Sequence, residues 1–138
     1  MSNETLKPVR TIGLLTIIAG IVLMLGGATT WFVVTDQLKA ANITVAEDAD
    51  YFADTPVRGP LTALSQAAII DKHALAAAGG KTYAELDRED PARVTAMNAS
   101  FLRASLFTSV VSYGVALFAA GMGLLSVLIG WSLRRVAA

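Results

Sequence analysis

Two long stretches of this chain carry no charged residue, and they constrain its fold more than any other feature. One runs from Thr11 to Thr35 and the other from Ala104 to Leu133, 25 and 30 residues respectively. About 20 apolar residues in helical form cross the hydrocarbon core of a bilayer, so each run is long enough to span one. Two wholly buried soluble helices would need a covering layer that the rest of a 138-residue chain is too short to supply. The first run continues through "GGATTWFVV" with no small-residue cleavage site, so it reads as an uncleaved anchor and not as a signal peptide.

Charge around the runs sets an expected orientation. Lys7 and Arg10 precede the first run, Arg134 and Arg135 come after the second, and the segment between them holds ten acids against seven bases. Basic flanks favour the cytoplasm, which predicts both termini inside and the middle segment outside a bacterial cytoplasmic membrane. Trp31 and Trp131 fall where interfacial aromatics are expected. The predicted organisation is a cytoplasmic arm (1–10), a first transmembrane helix (11–35), an extracytoplasmic helical cap (36–103), a second transmembrane helix (104–133) and a cytoplasmic tail (134–138). The fold class is therefore all-α, an antiparallel two-helix transmembrane hairpin with a small helical cap. Without cysteine, the cap gains no disulfide and depends on packing.

Within the cap, "ANITVAEDADYFADTPVRG" has little helical period and reads as an ordered loop with one short strand near Ile43 and Val45. Pro60 in a first-turn position and the pair Gly79-Gly80 bound a helix of about five turns. The charged stretch "GGKTYAELDREDPARV" resolves into two helix starts. Thr82 and Glu85 have the spacing of a capping box, and Asp90 before Pro91 is an acidic N-cap with proline at the first helical position. No breaker interrupts the chain after Pro91, which predicts one helix of about 43 residues. Val94, Met97 and Phe101 form an apolar stripe on its first turns, expected to pack against the Pro60 helix.

The segments "DTPVRGPLTALSQAAIIDKHAL", "GGKTYAELDREDP" and "MNASFLRASLFTSVV", with the two flanking runs, resemble a family of small actinobacterial two-span membrane proteins. Its members are often labelled "aromatic ring-opening dioxygenase". That label implies non-haem iron, for which two histidines and a carboxylate are needed. This chain has a single histidine, His73, and no cysteine, so its residues disfavour the label.

Other chemistries find little support. A metal at His73 would need Asp48, Asp50 or Asp54 as partners. No phosphate-cradling glycine loop, nucleophile elbow or nucleic-acid-binding basic patch occurs. The spans hold no ionisable group, which disfavours a pump or secondary transporter, although Ser105, Thr108, Ser109 and Ser112 leave an oligomeric pore open. The residues call for no cofactor and identify no small-molecule substrate.

Two structural expectations concern pairing. Asp71 falls in the middle of an apolar face formed by Leu64, Ala67, Ala68, Ala74, Leu75 and Ala78, so it should pair with Arg93, Arg103 or Arg58. Small residues line both spans, and an antiparallel register would place Gly13 near Gly130, Gly20 near Gly123, Gly27 near Ala116, and Thr30 near Ser112. In function, the chain reads as a non-catalytic accessory subunit or assembly factor of a larger membrane-protein complex. The alternative is an extracytoplasmic ligand-binding or sensor module on two spans.

Overall fold

The structure, a computed structural model, describes residues 3–138; Met1 and Ser2, the start of the predicted arm, lie outside the described residues. Three helices and no strand occur among them: α1 (Asn3–Ala41), α2 (Pro60–Ala77) and α3 (Ala92–Val136). Both α1 and α3 are long and apolar enough to cross a membrane, with mean hydropathy of 2.2 and 1.9 over their candidate spans. Helix extends past the uncharged runs at both ends, so the residues from Asn3 to Arg10 are helical. At 45 residues, α3 matches the single uninterrupted helix expected from Pro91 onward. The chain forms two compact units, Met1–Val33 with Gly114–Ala138, and Val34–Tyr113.

In the first unit α1 and α3 meet backbone to backbone. A Cβ placed on Gly20 would lie 2.5 Å from the Gly123 carbonyl oxygen, and one on Gly27 would lie 2.5 Å from that of Ala116. At Gly13 the same atom would stand 2.8 Å from the Gly130 oxygen. These three pairs share one antiparallel register. Only glycine on at least one side allows so close an approach, and close approach is what pairs helices where lipid gives no hydrophobic drive. The Thr30 and Ser112 hydroxyls donate within their own helices, to the Gly26 and Thr108 carbonyls.

The second unit is built around α2 and the loop before it. Asn42, in the left-handed region at φ 51°, ends α1. The chain then pairs briefly with itself: Val57 N–H donates to Ile43 O, and Val45 N–H to Thr55 O. Here the expected strand is reduced to an isolated bridge, Thr44 to Pro56. Its value lies in burial, because Val45 and Val57 are among the largest fully buried side chains. The Thr62 hydroxyl accepts the Arg58 and Gly59 N–H groups at the start of α2. At its end Gly79 and Gly80 both take positive φ, and Gly80 N–H reaches back to Leu75 O while Gly79 N–H bonds Ala76 O. This is the paired arrangement that closes a helix with two glycines.

Tyr113, 1% exposed, ties the unit together. Its hydroxyl lies 2.7 Å from Thr35 Oγ1 and donates to the Arg58 carbonyl at 3.4 Å. Farther along, Ala78, Leu86 and Ala96 form a small apolar cluster.

Two expectations are corrected here. Thr82 starts no helix: Glu85 accepts from the Thr82 N–H and hydroxyl at 2.8 and 2.9 Å, but the segment closes as a turn. Only eight residues separate Thr82 from Asp90, and a turn of helix that cannot propagate does not repay its nucleation. Leu86 is drawn instead into the cluster with Ala78 and Ala96. On α2 the buried residues are Ala63, Ala67 and Ile69, whereas Leu64 and Ala68 are exposed.

Replacing Gly20 with leucine should destabilise the α1–α3 contact by about 1–3 kcal/mol, the usual range for overpacking. Gly26→Leu, at a position with nothing within 4 Å, should leave it unchanged. Reversible unfolding of both variants in mixed micelles checks this.

Candidate interaction surfaces

Between α1 and α2 the acidic loop is tied to α2 by three contacts. Gln66 Oε1 accepts the Ala46 N–H at 3.0 Å, the Ser65 hydroxyl donates to Tyr51 O at 2.5 Å, and His73 Nε2 lies 2.7 Å from Asp48 Oδ2. Phe52 and Asp54 sit at φ 56° and 57°. A residue with a side chain costs about 1–2 kcal/mol in that region, and for a bulky one it is a genuine outlier. The strained loop presents Tyr51, 74% exposed, and Phe52 to the outside. Strain of this kind persists only where surrounding contacts enforce it, and it concentrates at sites that bind something.

Behind the two aromatics lies an open groove of about 500 Å³. Leu61, Leu64, Ala68 and Ile69 of α2 line one side, and Asp50 and Lys72 bring its only charges. A second recess of about 500 Å³ contains Pro56, Arg58 and Pro60 and shares Leu61 with the first. Sequence periodicity hid this site, because it assigns Leu64 and Ala68 to the packed face of α2. Its one visible signal was the adjacent Tyr51-Phe52 within a polar run.

A different surface arises on α3. Val94 and Phe101 are 60% and 65% exposed, and Met97 is exposed beside them. The stripe does not pack on α2 as expected. Ala96, Ala99 and Leu106 are the buried residues of this stretch, because small side chains let the helices approach more closely than valine, methionine and phenylalanine would. The large apolar residues are left facing outward.

The remaining singled-out residues serve the scaffold. Asp71 pairs with Arg103 at 2.8 Å, at the half-exposed edge of α2 and not at the centre of a buried face. Arg93 instead donates to the Leu86 carbonyl at 2.8 Å and lies 4.1 Å above the Tyr83 ring. Asp90 Oδ1 accepts the Ala92 N–H at the start of α3, and Pro91, expected at the first helical position, lies in the turn immediately before the helix. His73 meets Asp48 alone, and no group of three His, Cys, Asp or Glu able to hold a metal occurs among the described residues. No family model, curated protein or solved structure matches this chain.

The hydrogen bond from His73 holds the Asp48 carboxyl below its ordinary value. Glu85 is lowered likewise by the Thr82 N–H. A carboxyl held below its unfolded value stabilises the folded form above the ordinary carboxylate range, and the contribution is lost as pH falls through the lowered value. A spin label at Ala53→Cys should therefore be less ordered below that range than at neutral pH. Adding Asp48→Ala should remove this pH-dependent change, as read by its room-temperature spectrum.

Proposed function

We propose that this chain is a non-catalytic integral membrane protein, an accessory subunit or assembly factor of a larger membrane complex. In this reading α1 and α3 form an antiparallel transmembrane hairpin in a bacterial cytoplasmic membrane. Both termini are cytoplasmic, and residues 36–103 form an extracytoplasmic cap. The observation that carries it is the outward stripe of Val94, Met97 and Phe101. Phe101 lies twelve residues before Tyr113 on α3, about 18 Å along the helix axis. The stripe belongs to the proposed extracytoplasmic cap, where water penalises it and an apolar face of another protein would cover it.

A second reading, a ligand-binding or sensor module, is favoured by the groove behind Tyr51 and Phe52. The two readings use different faces of the cap and are separable by experiment.

Purified from its own membranes in mild detergent, the wild-type protein should carry a stoichiometric partner identified by mass spectrometry. Val94→Ser combined with Phe101→Ser should lose that partner while retaining helical content. A partner retained by the variant, or none with wild type, refutes the docking role of the stripe.

Topology has its own test. The chain has no cysteine, so a single one introduced at Asn98 should react with a membrane-impermeant thiol reagent in intact cells. One at Ala138 should react only after lysis. The opposite pattern would invert the orientation.

A further inference from the structure

The Asp71–Arg103 pair, besides joining α2 to α3, walls a recess of about 230 Å³ within the Val34–Tyr113 unit. Lys81, Tyr83 and Ser100 line it with that pair. Both helices and the segment between them contribute, and that segment is fixed in place. Gly79 and Gly80, at φ 62° and 82°, turn the chain back after α2 and bring Lys81 to the recess. Leu86 is anchored in the cluster with Ala78 and Ala96. Arg93 lies over the Tyr83 ring while donating to the Leu86 carbonyl. The recess is thus shaped before anything enters it, which lowers the cost of binding.

Its charges are unequal. Arg103 Nη1 lies 2.8 Å from Asp71 Oδ1, so these two offset each other. Lys81 enters no ion pair among the described residues. Glu85 is engaged instead by the Thr82 N–H and hydroxyl. Two cations therefore face one carboxylate, and the surplus positive charge matches a single anionic group. Arg103 also has an unmet need: its Nε–H is buried with no hydrogen-bond partner, which is costly for a charged group. A small turn of the guanidinium presents Nε–H and Nη2–H side by side to two oxygens, with Nη1 kept for Asp71. That is the bidentate geometry in which carboxylates accept from arginine. Ala74, Leu75 and Ala99 supply an apolar wall for a short hydrocarbon body. At about 30 Å³ per water the recess has the volume of about seven or eight waters, which sets the scale of its ligand. We propose that it binds a small aliphatic monocarboxylate, with the carboxylate received by Arg103 and Lys81 and the chain lying on Ala74 and Leu75. This site is separate from the groove behind Tyr51 and Phe52, and it rests neither on the accessory-subunit reading nor on the orientation of the spans.

Titration of the full-length protein in mild detergent with pentanoate, followed by heteronuclear NMR of the arginine Nε–H groups, tests the assignment. The signal missing from Arg103→Lys belongs to Arg103, and it should shift saturably with one pentanoate bound per chain. Pentanamide has the same shape without the charge and should bind about tenfold more weakly, the effect of one charge-assisted hydrogen bond. Lys81→Gln, at an exposed position, should weaken pentanoate by about the same factor. Ala84→Trp, also exposed and on the lining, should fill the recess and abolish the shift. No saturable shift in the wild-type protein would overturn the site. A shift that persists in Ala84→Trp would show general partition into the micelle and overturn it as well. Equal affinity for pentanamide, or an unaffected Lys81→Gln, would overturn the anionic ligand class. The partner test at Val94 and Phe101 reads a different set of residues, so failure of either result leaves the other standing.

Discussion

One phenol hydroxyl organises the Val34–Tyr113 unit. Tyr113 lies in a buried row on α3 that begins with Ala96, Ala99 and Leu106, and its oxygen reaches both Thr35 on α1 and the carbonyl of Arg58. A buried hydroxyl left without partners costs about 1–3 kcal/mol, so this position favours arrangements in which both neighbours arrive together. Once Arg58 is fixed, Thr62 caps the start of α2, and α2 in turn carries Ser65, Gln66 and His73 to the loop. The strained backbone at Phe52 and the placement of Tyr51 are thus several steps downstream of one side chain. The Asp71–Arg103 pair and the Ala78–Leu86–Ala96 cluster continue the same α2–α3 contact at increasing distance from it.

Helix identity was legible in the sequence wherever a local signal acted alone. Pro60, the double glycine at 79 and 80, and Asp90 with Pro91 each dictate backbone behaviour within a few residues, and α2 and the start of α3 lie where these residues direct, whereas the uncharged runs identify α1 and α3 without setting their ends. Thr82 and Glu85 show the limit of such signals. The carboxylate does reach back to the Thr82 N–H, yet the same contact serves a turn as readily as a helix. The residues after Glu85 decide between the two, and here Leu86 is worth more in the apolar cluster than as part of a short helix.

Faces were harder to read than helices. A helical wheel shows that Leu64, Ala67 and Ala68 lie together, and that Val94, Met97 and Phe101 lie together, but not which side the neighbouring helix will take. Packing selected the alanines, at Ala63, Ala67, Ala96 and Ala99, and left the bulkier residues outside. The groove and the α3 stripe both consist of residues rejected in this way. Candidate surfaces of this protein could therefore emerge only after the partner of each alanine row was known. The glycine register was more legible because steric contact admits few alternatives once a Cβ is absent.

The two units also rest on different physical forces. Contact between Gly20 and Gly123, or Gly13 and Gly130, is made of backbone atoms, where dispersion and weak Cα–H···O bonds act directly between the chains. Burial of Val45 and Val57 draws on the ordering of water and weakens on cooling, with a heat-capacity signature that the glycine contact lacks. Temperature should thus act on them unequally. In the cold the loop loosens first while the paired helices hold, so the surface bearing Tyr51 and Phe52 can be lost while the α1–α3 contact persists.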